Sequence, residues 1–408
     1  MRIIKTLVAA AAAATATVAA LSATAVAEPI NPHTHKTVTP NAWDIVGVGS
    51  QTTSYVSDQL SYDYDLGIKH DTTKTPYLYD WDAVPPSNLN DTTQVITLKK
   101  GCKNTRPNGS SAGITALETY GSVKYKGVTY PCVNFARTSR NRNSSSAPVD
   151  PACAPGGICF VYFATDVVTY ATTKATNVPD NLTKAQLAEI FGCDIPAAHG
   201  FAKGTWGALL GAKAKDPKGK PDPLDPQSGS GTLKFWMETA LGLATDTEPS
   251  CGSLGGITNP KYQPEENEGI SVVFKLKNGK PNPNVLYPFS VAAYVAQEAH
   301  SASIHGTPKK GQNIFGRDET GVLYLDGISG VAPTVKVKGV PVINPAWKNT
   351  VFFRYNYNVV PYSAAKGNVN HIAPALAKIF GPKGYECRQP KVLADYGFGS
   401  TALCGRSF

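Results

Sequence analysis

The chain has no dense block of lysine or arginine, no C-x-x-C pair and, past its first residues, no apolar run approaching the roughly 20 residues of a membrane span. The first absence makes nucleic acid a poor partner, because binding it needs basic residues gathered into a patch. The second removes the usual spacing of a zinc or dithiol site, and the seven histidines do not cluster with the cysteines to make another. The third leaves no segment to act as a spanning helix. Charge is also scarce, at 17% of the 408 residues, whereas there are 37 glycines and 31 prolines, the balance of a loop-rich exported fold.

What is present begins with an address. Arg2 and Lys5 precede an alanine-rich apolar run, and Ala25-Val26-Ala27 fits a signal-peptidase site, so residues 1–27 read as a signal peptide. It contains no cysteine for a lipid anchor, and the protein is expected to be secreted, extracellular or periplasmic. The 381 residues after it suffice for two domains. Without Arg2 and Lys5 they hold 37 basic against 30 acidic residues, an excess that suits an anionic ligand or surface. Residues 28–41, with Pro29, Pro32 and Pro40 and no periodicity, read as an extended arm. His33 and His35 are read as solvated arm residues, and no metal or cofactor is expected.

A loop of glycines and hydroxyl residues running into a helix occurs three times. Trp43 to Val48 reads as a buried strand, after which Gly49-Ser50-Gln51-Thr52-Thr53 opens a helix through Tyr55, Val56 and Leu60. Val95 to Leu98 reads as a second strand, and Gly109-Ser110-Ser111-Ala112-Gly113 opens a helix through Ile114, Leu117 and Tyr120. Ser228-Gly229-Ser230-Gly231-Thr232 leads into a third helix. At each corner the amides of the first helical turn and the positive end of the dipole favour an anion, and the glycines let it approach the backbone. The candidate ligand contacts are Ser50, Gln51 and Thr52 from the first loop, Ser110 and Ser111 from the second, and Ser230, Gly231 and Thr232 from the third. A strand ending in Arg137-Thr138-Ser139-Arg140 adds two guanidiniums and two hydroxyls, groups suited to tetrahedral oxyanions and carboxylates.

The second loop also matches G-x-S-x-G, the nucleophile elbow of serine hydrolases, with Ser111 as nucleophile. An elbow needs a strand leading straight into the serine, and here Gly101 to Asn108 intervene with no HGGG-type oxyanion segment in view. The chain is therefore expected not to be an enzyme, a serine hydrolase being the alternative that a fluorophosphonate would detect at Ser111.

Taken in order, strand-GxGS, GSSAG, NFARTSR and SGSGT resemble the phosphate-binding proteins of ABC importers, within the class II periplasmic-binding-protein fold. Cys159 to Asp166, Asn181 to Phe191 and Tyr287 to Tyr294 extend the resemblance, which covers residues 43 to 380 or so. It implies an α/β fold of two mixed-sheet lobes joined by a two-crossing hinge, lobe I from 42–163 and 289–408 and lobe II from 164–288. It implies further that a monomer holds phosphate or a similar small oxyanion in the interlobe cleft and serves an ABC permease. A wall or surface protein on the same fold, with no transport role, is the other possibility. Relatives carry an aspartate in the strand-end loop, which accepts the proton of bound phosphate; this chain has Ser139 there. They carry an arginine four residues before the serine of the third loop, where this chain has Pro226. Arg137 is expected to supply the missing charge, with Arg140 and Arg106 behind it.

Eight cysteines in an exported chain read as four disulfides. The two-lobe division orders them. Cys193 and Cys251 alone fall in lobe II and must pair with each other. Cys387 is matched with Cys404 across the turn at 396–399, and Cys153 with Cys159 around Ala154-Pro155-Gly156-Gly157, which leaves Cys102 for Cys132. Elsewhere the patterns predict helices over 182–191, 292–300 and 374–380, a strand over 351–360 and a loop at 306–310.

Overall fold

Ile45-Val46-Gly47-Val48-Gly49 is apolar without alternation, the pattern of a strand covered on both faces. In the computed structural model this stretch is the buried strand β1 (Ile45–Gly49) of an eight-stranded sheet. The structure describes residues 29–85, 91, 93–142, 150–243, 247–257, 263–269, 281–300, 320–321, 323–365 and 370–408. The signal peptide and the loop expected at 306–310 lie outside the described residues.

The other strands of the sheet are β2 (Leu78–Asp80), β3 (Phe135–Thr138), β4 (Ile158–Thr173), β5 (Asp222–Pro223), β6 (Val285–Ser290), β7 (Leu323–Leu325) and β8 (Phe353–Pro361). They lie in the order β5-β6-β4-β8-β3-β1-β2, with β7 also on β4. β1 is parallel to β2 and β3, whereas β8 is antiparallel to both β3 and β4, so the sheet is mixed and the α/β class is the expected one. β4 is 16 residues long and serves both ends of the sheet. Residues 158–167 pair with β8, residues 168–171 with β6, and residues 171–173 with β7.

Helices cover both faces: α1 (Ser54–Leu66), α2 (Gly109–Thr119), α3 (Lys184–Phe191), α4 (Gly231–Lys234), α5 (Val291–His300) and α6 (Pro374–Phe380). α4 continues without a break into a π-helix, Phe235–Leu241. α3 starts at a capping box, Thr183 and Gln186 each satisfying the other's backbone N–H. One apolar cluster gathers Val46, Val48, Tyr79, Trp81 and Leu98 beside β1. Another, around Phe191, Trp206 and Trp236, belongs mainly to the middle of the chain, and Trp347 and Phe352 pack into it from the returning segment.

The stretch read as an extended arm contains a short ladder, Ile30–Asn31 against Lys36–Thr37. Asn31 makes the turn between them, its Oδ1 accepting from the amides of His33 and Thr34. All four disulfides are present in the expected pairing, Cys102–Cys132, Cys153–Cys159, Cys193–Cys251 and Cys387–Cys404. Among the described residues, no helix is long and apolar enough to cross a membrane.

Candidate functional site, a cradle of hydroxyls

Close backbone packing brings the three glycine-hydroxyl loops and the end of β3 to one place. Ser50 follows β1 and donates its amide to Arg137 O at 3.1 Å. Ser111 N donates to Gly229 O at 3.1 Å, which ties the second loop to the third. Gly231 sits where no side chain fits, since a Cβ there would lie 2.3 Å from both Ser110 Oγ and Ser139 Oγ. The result is a ring of buried hydroxyls. Ser50 Oγ and Ser139 Oγ lie 2.9 Å apart, and Thr52 Oγ1 and Thr232 Oγ1 3.3 Å apart. Ser110 Oγ accepts from Ser139 N at 3.1 Å and so fixes the position of that loop.

A carboxylate lies at the centre of the ring, and it belongs to the protein. Glu266 Oε1 accepts from Thr232 Oγ1 at 2.6 Å, Thr52 Oγ1 at 2.8 Å, Thr232 N at 2.9 Å and Ser139 Oγ at 3.0 Å. Its Oε2 accepts from Ser50 Oγ at 3.3 Å. Charge-assisted bonds of this kind are the strong ones, and here all the partners are buried away from water. The segment carrying Glu266 is anchored on both sides. Asn108 Nδ2 donates to both carboxylate oxygens of Glu265, and Asn267 donates to Thr52 Oγ1 while accepting from Ser290 N.

The positive charge beside the ring is Arg354, opposite Asp166 in the β4–β8 register. Its Nε and Nη2 donate to Asp166 Oδ2 at 2.9 and 2.7 Å, and its Nη1 reaches Thr232 Oγ1 and Ser139 O, both at 3.1 Å. Nη2 also approaches Thr52 Oγ1 at 3.4 Å. Asp166 is held in turn by Ser290 Oγ and by the amide of Ala292 in the first turn of α5. Arg354 therefore orients two of the hydroxyls that grip Glu266.

The arginines expected to supply the charge are engaged elsewhere. Arg137 is buried behind the ring, paired with Asp80 and donating to Ser54 Oγ and Trp81 O. Burial lifts the Asp80 carboxyl to about 6 although Arg137 pulls it down, and the neighbouring Asp58 is pushed well up by burial and by Asp82 and Asp80. Arg140 forms a two-pronged pair with Asp150, at 2.6 and 2.7 Å. Arg106 donates to Gln94 Oε1 and Asp82 O. Arg137 touches the ring at a backbone atom, its Nε donating to Ser50 O at 3.3 Å, whereas Arg140 and Arg106 bond acceptors beyond it.

The remaining candidates have local tasks. Ser230 Oγ caps α4, accepting from Thr232 N and Leu233 N. Thr138 Oγ1 accepts from Arg140 N, and Gln51 Oε1 from Ser54 Oγ. Ser111 Oγ has no hydrogen-bond partner among the described residues, whereas a nucleophile needs a base within reach. No group of three His, Cys, Asp or Glu side chains among the described residues could hold a metal ion. Sequence reasoning passed over Arg354, Asp166, Asn108, Glu266 and Asn267. Arg354 had a signal, being the one charge in the strand pattern from Val351 to Val360.

No family model and no curated protein matches the chain in sequence. In structure it is similar to a possible phosphate binding protein from Planctomyces limnophilus, at 12% identity and a TM-score of 0.40 over 88% of this chain and 93% of that one. It is similar to PstS from Borrelia burgdorferi, at 13% identity and a TM-score of 0.41 over 87% and 98% of the two chains. A phosphate-binding protein from Stenotrophomonas maltophilia is similar at 11% identity and a TM-score of 0.39, over 88% and 91%.

Proposed function

We propose that this chain is a non-catalytic binding protein whose hydroxyl cradle takes one small oxyanion, phosphate or one like it, and that it is exported to present that ligand to an ABC permease. The observation that carries the reading is the Glu266 carboxylate, an oxyanion already held in the cradle by Ser50, Thr52, Ser139 and Thr232. Hydroxyls and an amide aimed at one point stabilise an anion without reacting with it, and Arg354 adds positive charge beside them. The order of the glycine-hydroxyl loops supports phosphate as the ligand class. In this reading the cleft lies between a lobe from 42–163 and 289–408 and a lobe from 164–288, with Trp347 and Phe352 packing on the second.

A wall or surface protein on the same fold is favoured by that same carboxylate, since a filled cradle needs nothing from outside. Equilibrium dialysis with labelled phosphate and sulfate, carried into the millimolar range, separates the two. The expected result is one anion per chain, phosphate and sulfate excluding each other. If neither ion binds to wild type or to Glu266→Ala, the surface-protein reading holds and the oxyanion reading falls.

A further inference from the structure

Glu266 accepts from the hydroxyls of Ser50, Thr52, Ser139 and Thr232 and from the Thr232 amide at once, and each hydroxyl has one proton to give. The side chain therefore saturates the donors that an outside anion would need. Two anions cannot share them, because like charges at contact repel strongly in a buried site. The glutamate is also delivered with care. Tyr287 Oη donates to Glu265 O, Gln297 Nε2 to Asn267 O, Gln227 N to Pro264 O and Ser228 N to Gln263 Oε1. Asn267, directly after it, is in the left-handed region at φ 58°, which turns the chain so that Glu266 faces the ring. These contacts come from the third loop, β6 and α5, so the segment is part of the site's construction.

We propose that Glu266 is a built-in ligand of the cradle that competes directly with an external oxyanion, so that the binding-competent form is the one in which segment 263–269 has withdrawn. The proposal rests on the cradle being an oxyanion site. The measured affinity is then the intrinsic affinity reduced by the fraction of molecules in which Glu266 is out. The rival role for the same residue is to accept the proton of bound phosphate, in place of the aspartate that Ser139 replaces. The contacts argue against this, because an acceptor would touch the ligand from outside the donor ring, and Glu266 holds the ring's donors itself.

Calorimetric titration of phosphate and of sulfate into wild type, Glu266→Ala, Glu266→Gln and the double variant Glu266→Ala/Thr232→Val tests the proposal. Removing the carboxylate should tighten both ions by about 10- to 1,000-fold, the factor for a competent form populated at about 0.1–10%. The glutamine variant should tighten them too, by less, since its amide oxygen can keep the Oε1 contacts but without the charge that makes them strong. The double variant should lose much of the gain, which locates it in the cradle. Equal affinity in wild type and both single variants overturns the competition and leaves the oxyanion reading intact. Weaker binding in both single variants also overturns it and makes Glu266 a partner of the ligand. No binding by any folded variant overturns the oxyanion reading itself. Hydrogen exchange on the wild-type protein needs no substitution. The Glu268 amide bonds to Glu265 O, and the Gln227 amide to Pro264 O. Phosphate should speed exchange at both, and unchanged or greater protection with phosphate bound rules the displacement out.

Discussion

Arg137 and Arg354 lie on neighbouring strands of one sheet and have different tasks. Arg354 shares its charge between Asp166 and the hydroxyls of the ring, whereas Arg137 is spent on Asp80 and on the carbonyl of Trp81. Its removal would leave Asp80 buried beside Asp58 and Asp82 without the guanidinium that it is paired with. Arg137→Ala is therefore expected to lower stability by about 3–5 kcal/mol, the cost of breaking a buried pair from one side. Chemical denaturation followed by circular dichroism measures this, and a loss below 1 kcal/mol or so, small for such a pair, would show that the pair matters little. At this scale the gathering of the ring's hydroxyls was legible, because serine and threonine beside glycine at a helix start either cap the helix, as Ser230 does, or face an anion. Glu266 was not legible. Pro264-Glu265-Glu266-Asn267-Glu268-Gly269 has the composition of a solvated acidic loop, and nothing local says that its second glutamate is buried. The partner that makes burial tolerable, Ser139, is 127 residues away in the chain.

At the scale of elements, local pattern and tertiary structure agree where a short motif decides the outcome. The strand before Ser50, the helix after Gly109, the capped α3 and the proline-led α6 are all written in their own residues. The disagreements arise where distant contacts decide. Nothing in Phe235 to Leu241 announces a π-helix, and the length of β4 follows from having three antiparallel partners rather than from its composition. The Cys102–Cys132 bridge joins the hairpin of Val95–Lys99 and Cys102–Thr105 to the segment entering β3, inside the cluster around Val46 and Leu98. It closes a span of 30 residues. Replacing both cysteines by alanine is expected to cost about 3–4 kcal/mol, by the chain-entropy estimate for such a loop. Because the bridge lies in an apolar cluster and not in the ring, oxyanion affinity should stay within about twofold of wild type, a small effect beside the loss of a charged hydrogen bond. Guanidinium titration and calorimetry on the same variant check both expectations, and a large loss of affinity with little loss of stability would contradict them.

For the whole molecule, β4 is the member that prevents the two ends from behaving as separate bodies. Its first part carries Phe163 and Ala164 in the cluster shared by α1 and α5, and its second part carries Val167, Val168 and Tyr170 in the Trp236 cluster. Unfolding either cluster strips the strand of partners needed by the other. Thermal unfolding in a calorimeter is therefore expected to give a single cooperative transition, with equal calorimetric and van't Hoff enthalpies. Two resolved peaks would mean that the halves melt on their own and that β4 is a tether rather than a shared support.

The seating of Glu266 in the ring has a consequence for speed as well as for affinity. An anion arriving from solution meets donors already in use, and it can take hold only after the carboxylate has moved aside. Collision frequency rises with anion concentration, but the departure of a side chain belonging to the same molecule does not. Capture at this site should thus accelerate with concentration only up to a ceiling, set by how often the protein releases its own glutamate.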